Sequence, residues 1–187
     1  MSESLPFPLS GSTLVTGPAK SGKTRLTAAA LDAWVDSHGP DGVVVFEFAP
    51  EVHRDGQLFG GRLSRFTTVP ADAWRGVLDA HAPRAEGDGD EARALDLARD
   101  NAERAVELFD AAPADPAAVF VNDATIPFQH PDSSPSRLVD YCEHATASVV
   151  NAFEGDELGT DDPVSRRECE VLDALASWAD RRVRLEA

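Results

Sequence analysis

The chain has 187 residues, of which 42% are hydrophobic, and this composition suits one folded domain with a sizeable core. Its 33 acidic and 17 basic residues give a net charge of −16, a balance typical of halophilic proteins, because in molar salt the Debye length falls to about 3 Å. This charge argues against nucleic acid and anionic membranes as partners, and no apolar stretch reaches the roughly 20 residues of a membrane span.

Residues 1–11 form a short lead that is kept extended by Pro6 and Pro8. The lead lacks the basic start and apolar run of a signal peptide, so we expect a cytoplasmic protein. Residues 12–187 are predicted to form a single nucleotide-binding domain. It begins with a β-branched strand at 12–16 and continues, after a short loop, with a helix at 25–37.

The loop between this strand and helix reads GPAKSGKT and fits the phosphate-loop pattern GxxxxGK[ST] at every fixed position. In such a loop, backbone N–H groups and the helix N-terminus bind phosphate, the lysine contacts the β and γ phosphates, and the final hydroxyl holds Mg²⁺. The predicted ligand is therefore a nucleoside triphosphate, ATP or GTP, with Mg²⁺. The predicted binding residues are Gly17, Pro18, Ala19, Lys20, Ser21, Gly22, Lys23, Thr24 and Arg25.

The distribution of lysine supports this prediction. The chain contains 15 arginines and only two lysines, and both lysines, Lys20 and Lys23, lie in the loop. A compact ammonium on a flexible stem fits beneath a phosphate chain where a planar guanidinium would not. Lys23 is therefore the first candidate for a catalytic role.

Two acidic residues accompany the next strand. Residues 43–48, VVVFEF, are the nearly continuous apolar run expected of a strand buried on both faces of a parallel sheet. Glu47 and Glu51 lie at or just beyond its carboxyl end, where open α/β sheets place ligand-facing residues. Either carboxylate is a candidate base for a water that attacks the γ-phosphate, and for each the alternative is a plain polar strand end.

The middle of the chain carries weaker patterns. Residues 52–64 contain three glycines and predict a mobile loop, and 65–69 predict a short strand. Residues 71–80 predict a short helix with Trp74 facing inward. Residues 83–91 predict a flexible acidic loop, after which Asp90 caps a helix that continues to about residue 110.

A second informative site follows the apolar strand predicted at 117–121, AAVFV. An apolar strand that ends in an acid, downstream of a phosphate loop, is typical of a Walker B element. Asp123 is therefore predicted to hold Mg²⁺ opposite Thr24. The proline-rich loop 126–135, like 52–64, is a candidate location for a small-molecule phosphate acceptor.

The rest of the chain completes an alternating order of strands and helices. A helix begins near Pro135, a strand is favoured at 146–153, and Asp162 with Pro163 begins a last helix that has Cys169 on its inner face. Residues 181–185 predict a closing strand. This order predicts an α/β protein with three layers, in which helices cover both faces of a mainly parallel sheet and ligands bind at the carboxyl ends of the strands.

Two family resemblances are carried by these motifs. The phosphate loop, the strand that ends in Glu47, and Asp123 resemble a RecA-like P-loop NTPase, and GVVVFEFAPE at 42–51 is similar to the second strand of RecA-type ATPases, which ends in a catalytic glutamate. LVTGPAKSGKTR at 14–25 resembles the start of the adenosylcobinamide kinase/guanylyltransferase family, and 163–185 is loosely similar to its closing helix and strand. The resemblances imply a RecA-like fold and phosphate transfer.

Together these patterns lead us to expect a Mg²⁺-dependent protein that hydrolyses or transfers the γ-phosphate of ATP or GTP, as an NTPase or a small-molecule kinase. The alternative is a regulatory module that binds nucleotide as a switch with little turnover. Oligomeric state does not follow from the sequence.

Overall fold

A computed structural model describes residues 4–187, apart from the side chains of residues 52, 54, 57 and 59. The predicted lead is thus described from residue 4, and residues 1–3 lie outside the description. The strands are β1 Gly11–Gly17, β2 Val43–Glu47, β3 Glu51–Arg54, β4 Gln57–Gly60, β5 Trp74–Val77, β6 Ala118–Asn122, β7 Ala147–Phe153 and β8 Arg181–Arg184. The α-helices are α1 Lys23–His38, α2 Pro83–Gly87, α3 Glu91–Ala111, α4 Ser136–Glu143 and α5 Pro163–Trp178.

Six of the strands form one sheet in the order β5-β2-β6-β7-β1-β8, and every neighbouring pair is parallel. β7 lies between β1 and β6, so the loop that follows β1 and the turn that follows β6 open at the same edge, one strand apart. The predicted α/β class with a parallel sheet is confirmed, and the arrangement is compatible with a RecA-like fold.

The sheet is buried on both faces because successive side chains of its strands point to opposite sides. Val44 and Phe46 of β2 belong to one apolar cluster, which includes residues of α3, α4 and α5. Val43 and Val45 belong to a second cluster, which α1 completes with Leu31. The helices therefore form two outer layers around the sheet, as the three-layer prediction requires.

Aspartate N-caps fix the first residues of α3 and α5. Asp90 accepts a hydrogen bond from the backbone N–H of Arg93 at the start of α3, and Asp162 accepts one from Ser165 at the start of α5. Pro163 occupies the first turn of α5, where the missing N–H has no intrahelical partner to lose. Both predicted caps are confirmed.

The helix predicted at 71–80 is wrong, because this segment contains the edge strand β5. β5 pairs with β2 in the register Val44↔Trp74 to Glu47↔Val77. Gly76, a poor helix former, lies so close to the Trp74 ring that a Cβ there would be 2.4 Å from it. Pairing with the buried strand β2 therefore decides a segment whose own pattern was ambiguous.

The stretch predicted as a loop at 52–64 contains the β3-β4 hairpin, which is antiparallel and separate from the main sheet. Asp55 and Gly56 at its turn both have positive φ, 50° and 73°, as an Asp-Gly type I′ hairpin turn requires. The strand predicted at 65–69 is also wrong. A 3₁₀ turn at Leu63–Arg65 occupies its start, and the N–H of Phe66 donates back to the Leu63 carbonyl.

Residues predicted as a flexible acidic loop at 83–91 include the short helix α2, and the flexibility of this segment stays a prediction. α2 packs tightly on α3, since a Cβ on Gly87 would lie 2.9 Å from the Ala94 Cβ. Across residues 4–187, no helix combines the length and apolar character that crossing a bilayer demands.

Candidate functional site

The loop at residues 17–24, called the 17–24 loop below, connects β1 to α1 at the carboxyl edge of the sheet. Gly22 precedes α1 with φ 96°, a conformation that favours glycine. Gly17 is required for space, because a Cβ there would lie 2.6 Å from both the Leu185 carbonyl oxygen and Ser21 Oγ. The glycines of the motif thus have the steric roles that an anion-binding loop before a helix needs.

Lys23 is folded back onto the loop. Its Nζ donates to the Pro18 carbonyl oxygen at 2.6 Å, and it lies 5.9 Å from the centre of the Phe153 ring. Burial lowers the pKa of Lys23, while the charges of Asp123 and Glu157 oppose this shift. Lys23 is therefore a partly buried cation whose positive charge two nearby acids stabilise.

A carboxylate of the same chain already contacts the backbone of the 17–24 loop. Glu157, in the segment between β7 and α5, accepts a hydrogen bond from the Ala19 N–H at 2.6 Å. Glu157 is exposed to solvent, so this contact is open to competition. Anionic oxygen is the partner that loop amides and a helix N-terminus attract.

Thr24 contacts β6 through Asn122. Its hydroxyl donates to Asn122 Oδ1 at 3.3 Å, and Asp123, the residue predicted opposite Thr24, lies one position further along. Asn151 of β7 supports the same turn, because its Nδ2 donates to Asn122 Oδ1 and its Oδ1 accepts from the Asp123 N–H at 2.8 Å. The strands β6 and β7 thereby fix the turn that follows β6 relative to α1.

Glu47 is fully buried, and both of its carboxylate oxygens have hydrogen-bond partners. Its Oε1 accepts from the Leu63 N–H at 2.9 Å and approaches an Arg75 nitrogen at 3.5 Å, and its Oε2 accepts from Asn122 Nδ2 at 3.0 Å. Burial raises the pKa of Glu47, and these hydrogen bonds and the Arg75 charge oppose the rise. We call Glu47, Asn122, Leu63 and Arg75 the Glu47 network.

Glu51, the other candidate base, lies in β3. It accepts a hydrogen bond from the Arg62 N–H at 3.3 Å and lies 3.6 Å from Arg65 Nε. About a third of its side chain is exposed. It therefore belongs to the surface of the hairpin, whereas Glu47 is connected to Thr24 through Asn122.

Asp123 combines backbone strain with an unsatisfied buried oxygen. Its φ is 62°, a left-handed conformation that Asp and Asn tolerate better than other non-glycine residues. Its Oδ1 is buried without a hydrogen-bond partner among the described residues. Burial, with the Glu168 charge, raises the pKa of Asp123 to about 7, against the opposing charges of Lys23 and Arg84.

Arg84 and Glu168 complete the surroundings of Asp123. Arg84, in α2, donates to Glu168 Oε1 at 2.8 Å and to Ser165 Oγ at 3.0 Å, and its guanidinium carbon lies 5.6 Å from the centre of the Phe153 ring. Glu168 is buried in α5. We call Lys23, Asp123, Phe153, Arg84 and Glu168 the Asp123 cluster.

The oxygen donors of the site suit a hard cation such as Mg²⁺. Thr24 Oγ1 and the buried Asp123 Oδ1 are the oxygens that the predicted metal site requires. Asp123 Oδ1 accepts no hydrogen bond from the described residues, so it is available to a cation. Within residues 4–187, no group of three or more His, Cys, Asp or Glu residues is arranged to hold a metal. A Mg²⁺ ion here would depend on phosphate oxygens and water for most of its ligands, as it does in nucleotide sites.

The structure brings several predicted residues together and leaves others apart. Lys23 lies close to Asp123. Thr24 is linked to Glu47 through the Asn122 side chain, at the same edge of the sheet. Lys20 and Arg25 are exposed, with Arg25 over the Phe66 ring at 5.5 Å. Sequence reasoning missed five residues of the site: Arg84, Asn122, Asn151, Phe153 and Glu168.

Some of these residues did carry a signal. Asn122, Asn151 and Glu47 are polar residues within the last three positions of buried strands that are mostly apolar. Glu168 lies on the buried face of α5 beside Val164 and Val171, a place where an acid needs a partner.

Comparisons with known proteins add no assignment. Neither a scan against protein-family models nor a search of curated proteins finds a match to this chain. The family resemblances carried by the sequence motifs therefore stay expectations.

Proposed function

We propose that this protein binds ATP or GTP with Mg²⁺ at the 17–24 loop and hydrolyses or transfers the γ-phosphate. The observation that carries the proposal is the conjunction of a complete GxxxxGK[ST] motif with an anion-compatible loop geometry and a buried, unsatisfied Asp123 beside Lys23. A buried carboxylate oxygen without a hydrogen-bond partner costs folding energy, so its presence beside a phosphate-binding motif favours a ligand site.

Each residue has a role in this proposal. Amides of the 17–24 loop and Lys23 hold the phosphates, and Lys23 exchanges the Pro18 carbonyl for a phosphate oxygen. Thr24 and Asp123 hold Mg²⁺, which would neutralise phosphate charge when bound. Glu47 and Glu51 stay the predicted bases, and of the two, Glu47 has the link to Thr24.

A small-molecule acceptor also has a candidate location. The loop 126–135 and α3 line a cavity of about 420 Å³, with Phe109 and Phe128 as apolar walls and Arg99 and Arg137 among its polar residues. This volume lies in the usual range of small-ligand sites. Transfer to an acceptor bound there would make the protein a kinase, whereas transfer to water would make it an NTPase.

Calorimetry in molar KCl with Mg²⁺ tests the proposal. We expect wild-type protein to bind ATP or GTP, and Lys23→Ala to weaken binding by a factor of about 100 or more, because a charge-assisted contact to the phosphates is lost. Arg93→Ala is the matched control, since it removes one positive charge from an exposed position of α3 outside the 17–24 loop, and we expect a change of less than about fivefold. The proposal is wrong if wild type binds neither nucleotide.

The second candidate is the switch module, and one observation favours it. Both oxygens of Glu47 are engaged, so the better placed of the two predicted bases has no free oxygen facing a water. Phosphate release separates the two candidates: the enzyme requires Mg²⁺-dependent turnover, and the switch requires tight binding with negligible turnover.

A further inference from the structure

Arg84 is a mostly buried arginine next to the proposed nucleotide site. Its side chain is 14% exposed, and its two terminal nitrogens contact different residues, Ser165 and Glu168. Arginine favours two parallel hydrogen bonds to one carboxylate or phosphate group, and Arg84 makes no such paired contact with Glu168 in the described part of the chain. Its present partners therefore leave unused the paired hydrogen bonding that a guanidinium can make to a single anionic group.

Phe153 connects Arg84 to the 17–24 loop. Phe153 is the last residue of β7 and pairs in register with Gly17, the first residue of the motif. The Lys23 ammonium and the Arg84 guanidinium lie 5.9 Å and 5.6 Å from the centre of this one ring. Both cations also act on Asp123, whose raised pKa their charges oppose, so Lys23 and Arg84 lie near one acid at this edge of the sheet.

Glu168 keeps other partners if Arg84 leaves it. Thr125 Oγ1 and Gln129 Nε2 donate to Glu168 Oε2 at 2.9 Å and 2.7 Å, whereas Arg84 contacts Oε1. The carboxylate would remain hydrogen-bonded on one oxygen after an exchange, which limits the cost of separating the pair. α2 packs tightly on α3, so we expect the exchange to proceed by rotation of the Arg84 side chain with the helix in place.

We propose that Arg84 is a second phosphate-binding cation of the site, which exchanges Glu168 for the terminal phosphate of a bound nucleoside triphosphate. The inference rests on the proposed function and adds a preference for nucleoside triphosphate over diphosphate. A triphosphate that reaches Arg84 gains a paired contact, whereas a diphosphate ends at Lys23. Arg84 therefore favours the triphosphate over the diphosphate.

The test compares two variants in molar KCl with Mg²⁺. Glu168→Gln frees Arg84, and Arg84→Gln/Glu168→Gln removes both buried charges together, so that neither is left uncompensated. Calorimetry with a non-hydrolysable triphosphate analogue and with the diphosphate gives the ratio of the two dissociation constants. Arg167→Gln is the control, because Arg167 is similarly buried in α5, at 21% exposed, and pairs with Glu170.

We expect the double variant to bind the triphosphate analogue about 10 to 100 times more weakly than Glu168→Gln, with the diphosphate changed by less than about threefold. The control should leave the ratio unchanged. If Glu168→Gln and the double variant bind the analogue equally, Arg84 has no role in phosphate binding and the proposed function stands alone. If wild type binds neither nucleotide, both proposals are wrong.

Discussion

Two acids with buried oxygens, at the carboxyl ends of neighbouring strands, have opposite surroundings. Glu47, at the end of β2, accepts hydrogen bonds on both oxygens from the Glu47 network. Asp123, directly after β6, has a buried oxygen with no hydrogen-bond partner in the described residues and a pKa raised to about 7. Asn122 directly precedes Asp123 in sequence, but its side chain donates a hydrogen bond to Glu47 and so belongs to the Glu47 network.

This difference predicts that one of the two acids stabilises the unliganded fold and that the other destabilises it. A buried acid whose partners are all within the chain stabilises the fold, since its removal would leave donors unsatisfied. A buried acid without enough partners destabilises the unliganded fold, and a bound cation would reverse that cost. The comparison therefore predicts stability changes of opposite sign when the two acids are replaced.

The largest effect is expected at Glu47. Glu47→Ala should lower the free energy of unfolding by roughly 3 to 5 kcal/mol, because two buried donors, the Leu63 N–H and Asn122 Nδ2, lose their acceptor and a cavity remains. Denaturant unfolding in molar KCl without nucleotide measures this change.

Glu51→Ala is the matched control for this experiment. Glu51 accepts a single long hydrogen bond at the surface of the hairpin, so we expect a change within about 1 kcal/mol. Equal losses in Glu47→Ala and Glu51→Ala would contradict the structural role of the Glu47 network.

The next effect has the opposite sign. Asp123→Asn should stabilise the protein without nucleotide and Mg²⁺, and Asn also tolerates the left-handed backbone at this position. The folded pKa of about 7 lies above the ordinary 3.8, so between these pH values the folded state keeps a proton that the unfolded state has released. The acid therefore contributes stability that is lost as pH rises from about 4 to 7.

Unfolding at pH 5 and pH 8 measures this dependence. The advantage of Asp123→Asn should grow between the two and reach at most about 4 kcal/mol at pH 8, an upper limit because the residue is partly exposed. Asp96→Asn, at a largely exposed aspartate of α3, should change stability by less than about 0.5 kcal/mol at either pH. If Asp123→Asn brings no gain at pH 8, the contrast with Glu47 is wrong.

The sequence predicts most of the fold because the buried strands of a parallel sheet are continuous apolar runs. Such runs predict β2 and β6, the β-branched centre of 146–153 favours β7, and the caps at Asp90 and Asp162 predict the starts of α3 and α5. β5 escaped prediction because its pairing with β2, which no local pattern contains, decides its conformation. Cys169, predicted on the inner face of α5, is exposed, and Glu168 is buried instead.

The candidate site also has a part that the sequence predicts and a part that depends on tertiary packing. The 17–24 loop is a contiguous motif, and its position between β1 and α1 follows from the chain order. Arg84 and Glu168 lie far apart in the sequence, in a segment that reads as a loop and on a helix. Their contact depends on how α2, α3 and α5 pack together, and neither residue carries a motif of its own.

The smallest effect concerns Glu157, which extends the comparison to the 17–24 loop itself. Its carboxylate accepts from the Ala19 N–H and its charge acts on Lys23, the two groups that a phosphate would need. A nucleotide bound as proposed would therefore have to displace a competing anion. We expect Glu157→Ala to tighten Mg²⁺-nucleotide binding about two- to tenfold, a modest change because the contact is exposed and screened by salt.

Asp156→Asn controls for charge in this measurement, because it removes one negative charge from the adjacent position. Calorimetry in molar KCl should show tighter binding for Glu157→Ala and little change for Asp156→Asn. Equal tightening in both variants would mean that the net charge of the loop, and not the contact with Ala19, opposes the nucleotide. Weaker binding in Glu157→Ala would mean that Glu157 supports the bound state, so that the loop carboxylate acts with the Asp123 cluster instead of competing for its ligand.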